Sequence, residues 1–394
     1  MTEASSSDRT LSPAHIPALD GLRGCAILLV LLLHITLREP VVETAGVLAV
    51  RNTFALGWSG VDLFFVLSGF LITGILFDAK GSGGYFKVFY ARRALRILPL
   101  YYAALLGVFV MPHFLGPRIA HLDLTPVREQ FWYWAYLQNY HELKGVPREF
   151  LDGFWTLAIE EQFYLVWPLV IFFCSRRRAL WVCLACVLGA IGYRSTMTFL
   201  GYSVDAIGQL TPARVDSLAI GSAIALLARG SGGLDLMKKL SPYAIATGTI
   251  VLLMTLVRAG PAYHRDALMV TVGFSAIPLA YGGVLVLIVA SSGLFNRALR
   301  SSVLRFFGRY SYGLYVIHQP VLIVFAKLGV VPDRFLGIGS PGLALLAYTV
   351  FMLIVCVAVE WLVYQLYEKR FLLLKRHFVY GERARSASAD AVAA

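Results

Sequence analysis

The chain has 394 residues, of which 58% are hydrophobic and 15% charged, and its formal net charge is +12. A soluble domain is about 45–50% apolar and roughly 25% charged, so too few charges are present to cover two or three soluble domains. Disorder and fibrous repeats are excluded by 25 Phe, 20 Tyr and 7 Trp without a low-complexity tract; nucleic-acid binding is disfavoured, because the basic residues sit in short clusters between apolar runs.

What remains is an all-α polytopic membrane protein. A hydrocarbon core takes about 20 mostly apolar residues per helix. This predicts about ten transmembrane helices, over 17–37, 55–77, 95–113, 154–174, 179–199, 211–228, 242–258, 268–291, 307–330 and 342–366. Lipid offers the backbone no partners, so helices are the default. The first span has Arg23 ahead of a short apolar run, Cys25–Leu33, as a signal peptide would. No small-x-small cleavage site follows it, so it is read as a retained signal anchor. With the N-terminus in the cytoplasm, 23 of the 35 lysines and arginines fall on inside segments. That bias predicts both termini cytoplasmic. The organisation is then a tail over 1–15, a transmembrane domain over 16–370 and a disordered cytoplasmic tail over 371–394.

The five cysteines lie in or beside apolar runs, which argues against a disulfide framework. Cys183-x-x-Cys186 has redox or zinc spacing but no second pair, and is read as helix packing. No internal repeat and no H-E-x-x-H spacing occurs, so no metal site is expected. The long loop over 114–153 carries His121, Asp123, Arg128, Trp132, Trp134 and His141; its aromatics are read as an interfacial belt, with contact to an external ligand as the alternative.

A titratable side chain within a span costs several kcal/mol unless it is paired or faces water, so each is a candidate site residue. Arg23 and His34 are eleven residues apart. Eleven steps of about 100° return almost to the same face, so the two share one stripe, roughly 16 Å apart along the axis. Asp62 lies in the second span, Glu160 and Glu161 in the fourth with Tyr164 one turn on, and Arg214 and Asp216 open the sixth. With His34, these fall at similar depth in the outer half. They predict either a polar cavity open outward or a set of structural ion pairs, such as Arg214 with a glutamate. Arg92, Arg93 and Arg96 have helical spacing and can present guanidinium groups together. Such groups suit phosphate; the plainer alternative is contact with lipid head groups. Ser311, Tyr312, Tyr315 and His318 precede Gln319-Pro320, either a site or a packed kink. Glu360 is read as snorkelling or pairing with a cytoplasmic arginine.

Six blocks follow one another in order from about 16 to 370. They are Ala18-Leu-Asp-Gly-Leu-Arg23-Gly24 with His34; Gly57-Trp58-Ser59-Gly60-Val-Asp62 through Ser68-Gly69-Phe70; Phe89 to Pro99; Phe154-Trp155 through Glu160-Glu161 to Tyr164; Arg214-Val-Asp216 through Gly221; and Gly308-Arg-Tyr-Ser311 through Tyr315 to His318. Together they resemble the membrane-bound acyltransferase-3 family, including its Arg-x10-His spacing. The resemblance implies an O-acyltransferase of the bacterial inner (plasma) membrane, with the lipid bilayer, an acyl-CoA donor and a glycan or other hydroxyl acceptor as its partners. The acyl group, acetyl as the common family choice, would pass from cytoplasmic acyl-CoA, a co-substrate, to a hydroxyl of an extracytoplasmic acceptor, a cell-surface carbohydrate. It implies His34 as general base, with Asp62, Glu160 or Glu161 orienting or balancing it. Arg92, Arg93, Arg96 and Arg23 would hold the donor, and Arg214, Asp216, Tyr164 and His318 the substrate. Direct transfer and an acyl-histidine intermediate both stay open. The short tail leaves no room for the hydrolase-like domain fused to some members. The competing readings are a proton-coupled transporter or exporter of a small solute, and a non-catalytic scaffold in glycan assembly.

Overall fold

Apolar runs of this length satisfy their own backbone in lipid only as helices, and every predicted span is helical. The structure, a computed structural model, describes residues 16–38, 42–111, 127–141, 149–291 and 293–381. His121, Asp123 and the two predicted tails, apart from 371–381, lie outside the described residues. Among those described, ten long helices follow in order: α1 (Pro17–Thr36), α2 (Ala45–Asp78), α3 (Tyr85–Val110), α4 (Phe154–Phe173), α5 (Arg176–Phe199), α6 (Thr211–Leu227), α7 (Gly233–Ala259), α8 (Met269–Ala290), α9 (Ser311–Lys327) and α10 (Pro341–His377). Eight are long and apolar enough to cross a membrane. α9 makes a ninth when joined to Pro332–Ile338, which bends from it by 70°. α6 has only 17 residues and is mostly buried.

Three boundaries differ from expectation. α2 starts at Ala45, where the Thr44 hydroxyl accepts a hydrogen bond from the Val47 amide, and narrows to a 3-10 turn over Ala55–Ser59. α3 starts at Tyr85, behind a left-handed Gly84, ten residues before the expected 95. The arginine block therefore lies within the helix rather than at its end. α10 continues to His377, past the expected domain boundary at 370. The chain then turns back, and the Gly381 amide donates to the Gly83 carbonyl at 3.1 Å.

Close helix approach depends on small residues. α2 and α6 touch backbone to backbone: a Cβ on Gly69 would overlap the Leu218 carbonyl, and one on Gly221 the Val66 carbonyl. The apolar core of α2 is accordingly the most buried among the eight spanning helices, whereas α5 and α7 lie on the outside. Phe199 and Val257 there are 89% and 87% exposed, an apolar surface suited to lipid rather than water.

Two fully buried ion pairs tie this centre together. Arg214 Nη2 donates to Asp62 Oδ1 at 2.8 Å, and Ser217 Oγ donates to the same oxygen at 3.0 Å. Arg194 on α5 donates to Asp216 at 2.9 Å, to the Ser275 hydroxyl at 2.6 Å and to the Ala213 carbonyl. α2, α5, α6 and α8 are thus cross-linked by charge. Removing one member of such a pair strands a buried charge, which costs about 3–5 kcal/mol, whereas replacing both by apolar groups costs far less. Arg194→Met is expected to lower the thermal unfolding midpoint in detergent sharply, and Arg194→Met with Asp216→Leu to restore most of it. Equal loss in the single and double variants would contradict a charge-pair origin.

Candidate active site

Several other polar side chains of the bundle line two adjoining cavities. The larger has a volume of about 500 Å³ and is lined by His34, Arg51, Trp58, Trp155, Arg214 and Tyr315, among others. The smaller, of about 80 Å³, is lined by Arg23, Ser68, Arg93, Arg96, Glu160 and Tyr164. Val61 and Tyr315 line both, so the cavities meet at these two side chains.

The larger cavity is built at the C-terminal end of α1. Arg51 caps that end: its Nε and Nη2 donate to the carbonyls of Thr36 and Arg38 at 3.2 and 3.3 Å. Arg214, held by Asp62, stacks over the Phe274 ring at 4.6 Å and lies 6.0 Å from the Trp155 ring. Trp58 leans on Phe274, 5.6 Å between centroids. His34 faces this space, and its Nδ1 lies 3.1 Å from Nε2 of His318 on α9. Tyr315 stands at the junction. Its hydroxyl donates to the Gly153 carbonyl at 3.1 Å and lies 2.7 Å from Thr156 Oγ1, at the start of α4.

The smaller cavity is the more densely charged one. Ser68 Oγ donates to Glu160 Oε1 at 2.6 Å, and Tyr164 OH donates to Ser68 Oγ at 3.1 Å. The Arg93 guanidinium lies over the Tyr164 ring at 5.2 Å. Arg23, Arg93 and Arg96 bring three cations against one lining carboxylate, Glu160. Outside it, Arg92 is exposed and donates to the Phe378 carbonyl at 2.9 Å. Tyr380, on the same returning segment, has its hydroxyl pKa raised by burial. Lys375 is within electrostatic reach of Arg92, Arg93 and Arg96.

The predicted residues therefore divide. His34 and Arg214 share the larger cavity; Arg23, Arg93, Arg96, Glu160 and Tyr164 share the smaller. Asp62 and Asp216 line neither, since each is consumed by an arginine, and the carboxylate beside Arg214 is Asp62 rather than a glutamate. Neither Asp62 nor a glutamate is the hydrogen-bond partner found for His34; His318 is. Glu161 points away from Glu160, towards the ring cluster of Tyr101, Tyr102, Tyr136 and Tyr312, because adjacent helix positions lie about 100° apart. Arg92, one turn from Arg96 and close to its face, donates instead to the Phe378 carbonyl and does not line the cavity. Glu360 is buried against Gly313 of α9 rather than snorkelling. Sequence reasoning missed Arg194, Trp58, Trp155 and Lys375. Arg194 is the lone charge inside its span, which is the signal that could have found it.

A sequence model described as an acyltransferase domain matches residues 16–361. The chain is 28% identical over 331 residues to the putative peptidoglycan O-acetyltransferase of Bacillus subtilis, covering 80% of this chain and 50% of that protein. It is 27% identical over 334 residues to the O-acetyltransferase of Staphylococcus aureus, with 80% and 52% covered. With the peptidoglycan O-acetyltransferase of Listeria monocytogenes it shares 28% identity over 332 residues, with 79% and 50% covered. The chain spans about half the length of these relatives. No solved structure matches.

Single cysteines at 34 and 96, in a background without the five native ones, should label with a membrane-impermeant maleimide from opposite sides of an oriented vesicle. Labelling of both from one side would contradict two cavities divided at Val61 and Tyr315.

Proposed function

The chain belongs to the acyltransferase-3 family, and on that premise we propose that it is a membrane O-acetyltransferase. It would move an acetyl group from acetyl-CoA, bound at the arginine-lined side, to a sugar hydroxyl of the cell-wall glycan in the His34 cavity. The observation that carries this reading is the contrast between the two adjoining cavities. One is narrow and sets Arg23, Arg93 and Arg96 around Glu160; the other is several times larger and, beside Arg51, Asp152 and Arg214, carries His34 and two indoles.

CoA is polyanionic and does not cross lipid. Charge-assisted hydrogen bonds from guanidinium groups are the strong way to hold its phosphates. Arg93 and Arg96 would do so, with Arg92 and Lys375 at the rim, on the cytoplasmic side where the basic clusters concentrate. The narrow cavity past them suits a slender pantetheine arm and not a sugar. Arg23 lines that path, and the thioester would reach the junction at Val61 and Tyr315. On the other side, Trp58 and Trp155 offer flat apolar faces to sugar rings, and Arg214 offers a fixed cation. The peptidoglycan named for the Bacillus and Listeria relatives, on the outer side of a bacterial membrane, is the acceptor this reading adopts.

In the reaction proposed, the acceptor hydroxyl attacks the thioester carbonyl while His34 takes its proton, a role suited to an imidazole. The new C–O bond forms, the C–S bond breaks, and the thiolate leaves with the proton from His34 as free CoA. Glu160 balances the arginines through Ser68 rather than touching His34. Asp62 and Asp216 act indirectly, by fixing Arg214 and α6.

The test is acetyl-CoA binding and CoA release by the protein in nanodiscs with a peptidoglycan-fragment acceptor. His34→Ala should bind acetyl-CoA normally and lose about 10²- to 10⁴-fold in kcat. Arg93→Ala with Arg96→Ala should weaken acetyl-CoA binding about 10- to 100-fold. Failure of the wild-type protein to bind acetyl-CoA, with solute uptake in its place, would favour a transporter and contradict the proposal.

A further inference from the structure

His34 has a partner whose geometry determines more than proximity. Nδ1 of His318 lies 2.6 Å from the Tyr315 carbonyl oxygen and 3.1 Å from that of Leu314. A carbonyl oxygen only accepts, so Nδ1 of His318 carries a hydrogen. In the neutral ring its Nε2 then holds a lone pair, and Nε2 is the atom 3.1 Å from His34 Nδ1. Two lone pairs cannot share that contact, so His34 Nδ1 is the donor. One position is left for the basic lone pair of His34, namely Nε2. Only His34 of the two lines the larger cavity; His318 is 1% exposed and set behind it.

We propose that His318 is a positioning residue that holds His34 in its Nδ1–H tautomer and turns the bare Nε2 to the acceptor hydroxyl. The proposal rests on the reading of His34 as base. A backbone carbonyl fixes the first ring, and the first ring fixes the second. The role is that of an oriented hydrogen-bond acceptor behind a catalytic histidine, filled here by a neutral imidazole in place of a carboxylate. When Nε2 of His34 takes the acceptor's proton, the imidazolium keeps its Nδ1–H bond to His318, so the ring does not rotate as charge arrives. The proton then leaves from Nε2 to the departing thiolate, and both rings return to their starting tautomers.

The surroundings favour a neutral His318. Arg38 Nη2 donates to Oε1 of the adjacent Gln319 at 3.1 Å, which places a cation beside this turn of α9. The Tyr315 ring is 5.6 Å away. No carboxylate is bonded to either imidazole among the described residues. A doubly protonated His318 would donate from Nε2 and force His34 to accept at Nδ1. The catalytic nitrogen would then face the cavity as N–H, unable to take a proton. The same reasoning separates His318 from a substrate-binding role, because the larger cavity does not reach its ring.

The experiment combines ¹⁵N-histidine NMR with kinetics, on the full chain in nanodiscs. In the wild type, His34 should appear as the neutral ring protonated at Nδ1. His318→Leu should lose this single tautomer and lower kcat about 10- to 100-fold, the range for removing a partner that orients a functional histidine, with acetyl-CoA binding unchanged. His318→Gln, whose side-chain oxygen can accept from His34 Nδ1–H, should recover most of both. A His34 protonated at Nε2 in the wild type would overturn the proposal, as would unchanged kcat in folded His318→Leu. If His318→Leu does not fold, the wild-type tautomer and His318→Gln decide alone. Turnover surviving in His34→Ala would instead remove the base reading, a different failure from an inactive His34→Ala beside a fully active His318→Leu.

Discussion

A charge within an apolar helical bundle must be paired or must face water, and the rest of this structure follows from how each charge meets that demand. Asp62 and Asp216 are paired with Arg214 and Arg194, with both carboxylates fully buried. These pairs fasten α2, α5, α6 and α8 into one unit. Arg23, Arg93, Arg96 and Glu160 face the small cavity, and His34 faces the large one. The first group builds the frame; the second supplies the chemistry proposed.

The frame explains why the two cavities stay distinct. Gly69 and Gly221 let α2 and α6 touch, which leaves no room for a passage between them. The passage runs instead among α1, α2, α4 and α9, where Arg23, Ser68, Glu160 and Tyr315 project. Its two cavities share Val61 and Tyr315, whose hydroxyl is anchored on the first turn of α4. In the proposed reaction that junction is where a thioester from one side would meet a hydroxyl from the other.

Much of this was legible in the sequence. Hydropathy located every long helix, because a bilayer imposes a length. Period alone placed Arg23 and His34 on one face, and both do line the passage. What period does not give is which neighbour each face meets. Asp62 and Arg214 belong to helices 152 residues apart in sequence, and nothing local marks them as partners. Glu160 and Glu161 read as a pair, yet one step of rotation sends them to different surroundings. Helical spacing put Arg92, Arg93 and Arg96 together, but a bond to the returning segment at Phe378 keeps Arg92 out of the cavity that the other two line. Trp58 and Trp155 stood in the sequence only as members of the family-like blocks, since an indole at a helix end carries no sign of a cavity behind it. The His34–His318 contact depends on the packing of α9 against α1, a tertiary fact.

Transfer between opposite sides of one membrane is tested in sealed proteoliposomes of defined orientation. Acetyl-CoA labelled in its acetyl group is confined to the side of Arg93 and Arg96, and a peptidoglycan fragment to the side of His34. Labelled acceptor is expected only with the two substrates on these opposite sides, and none from the Arg93/Arg96→Ala protein. Equal labelling with both substrates on one side would contradict it.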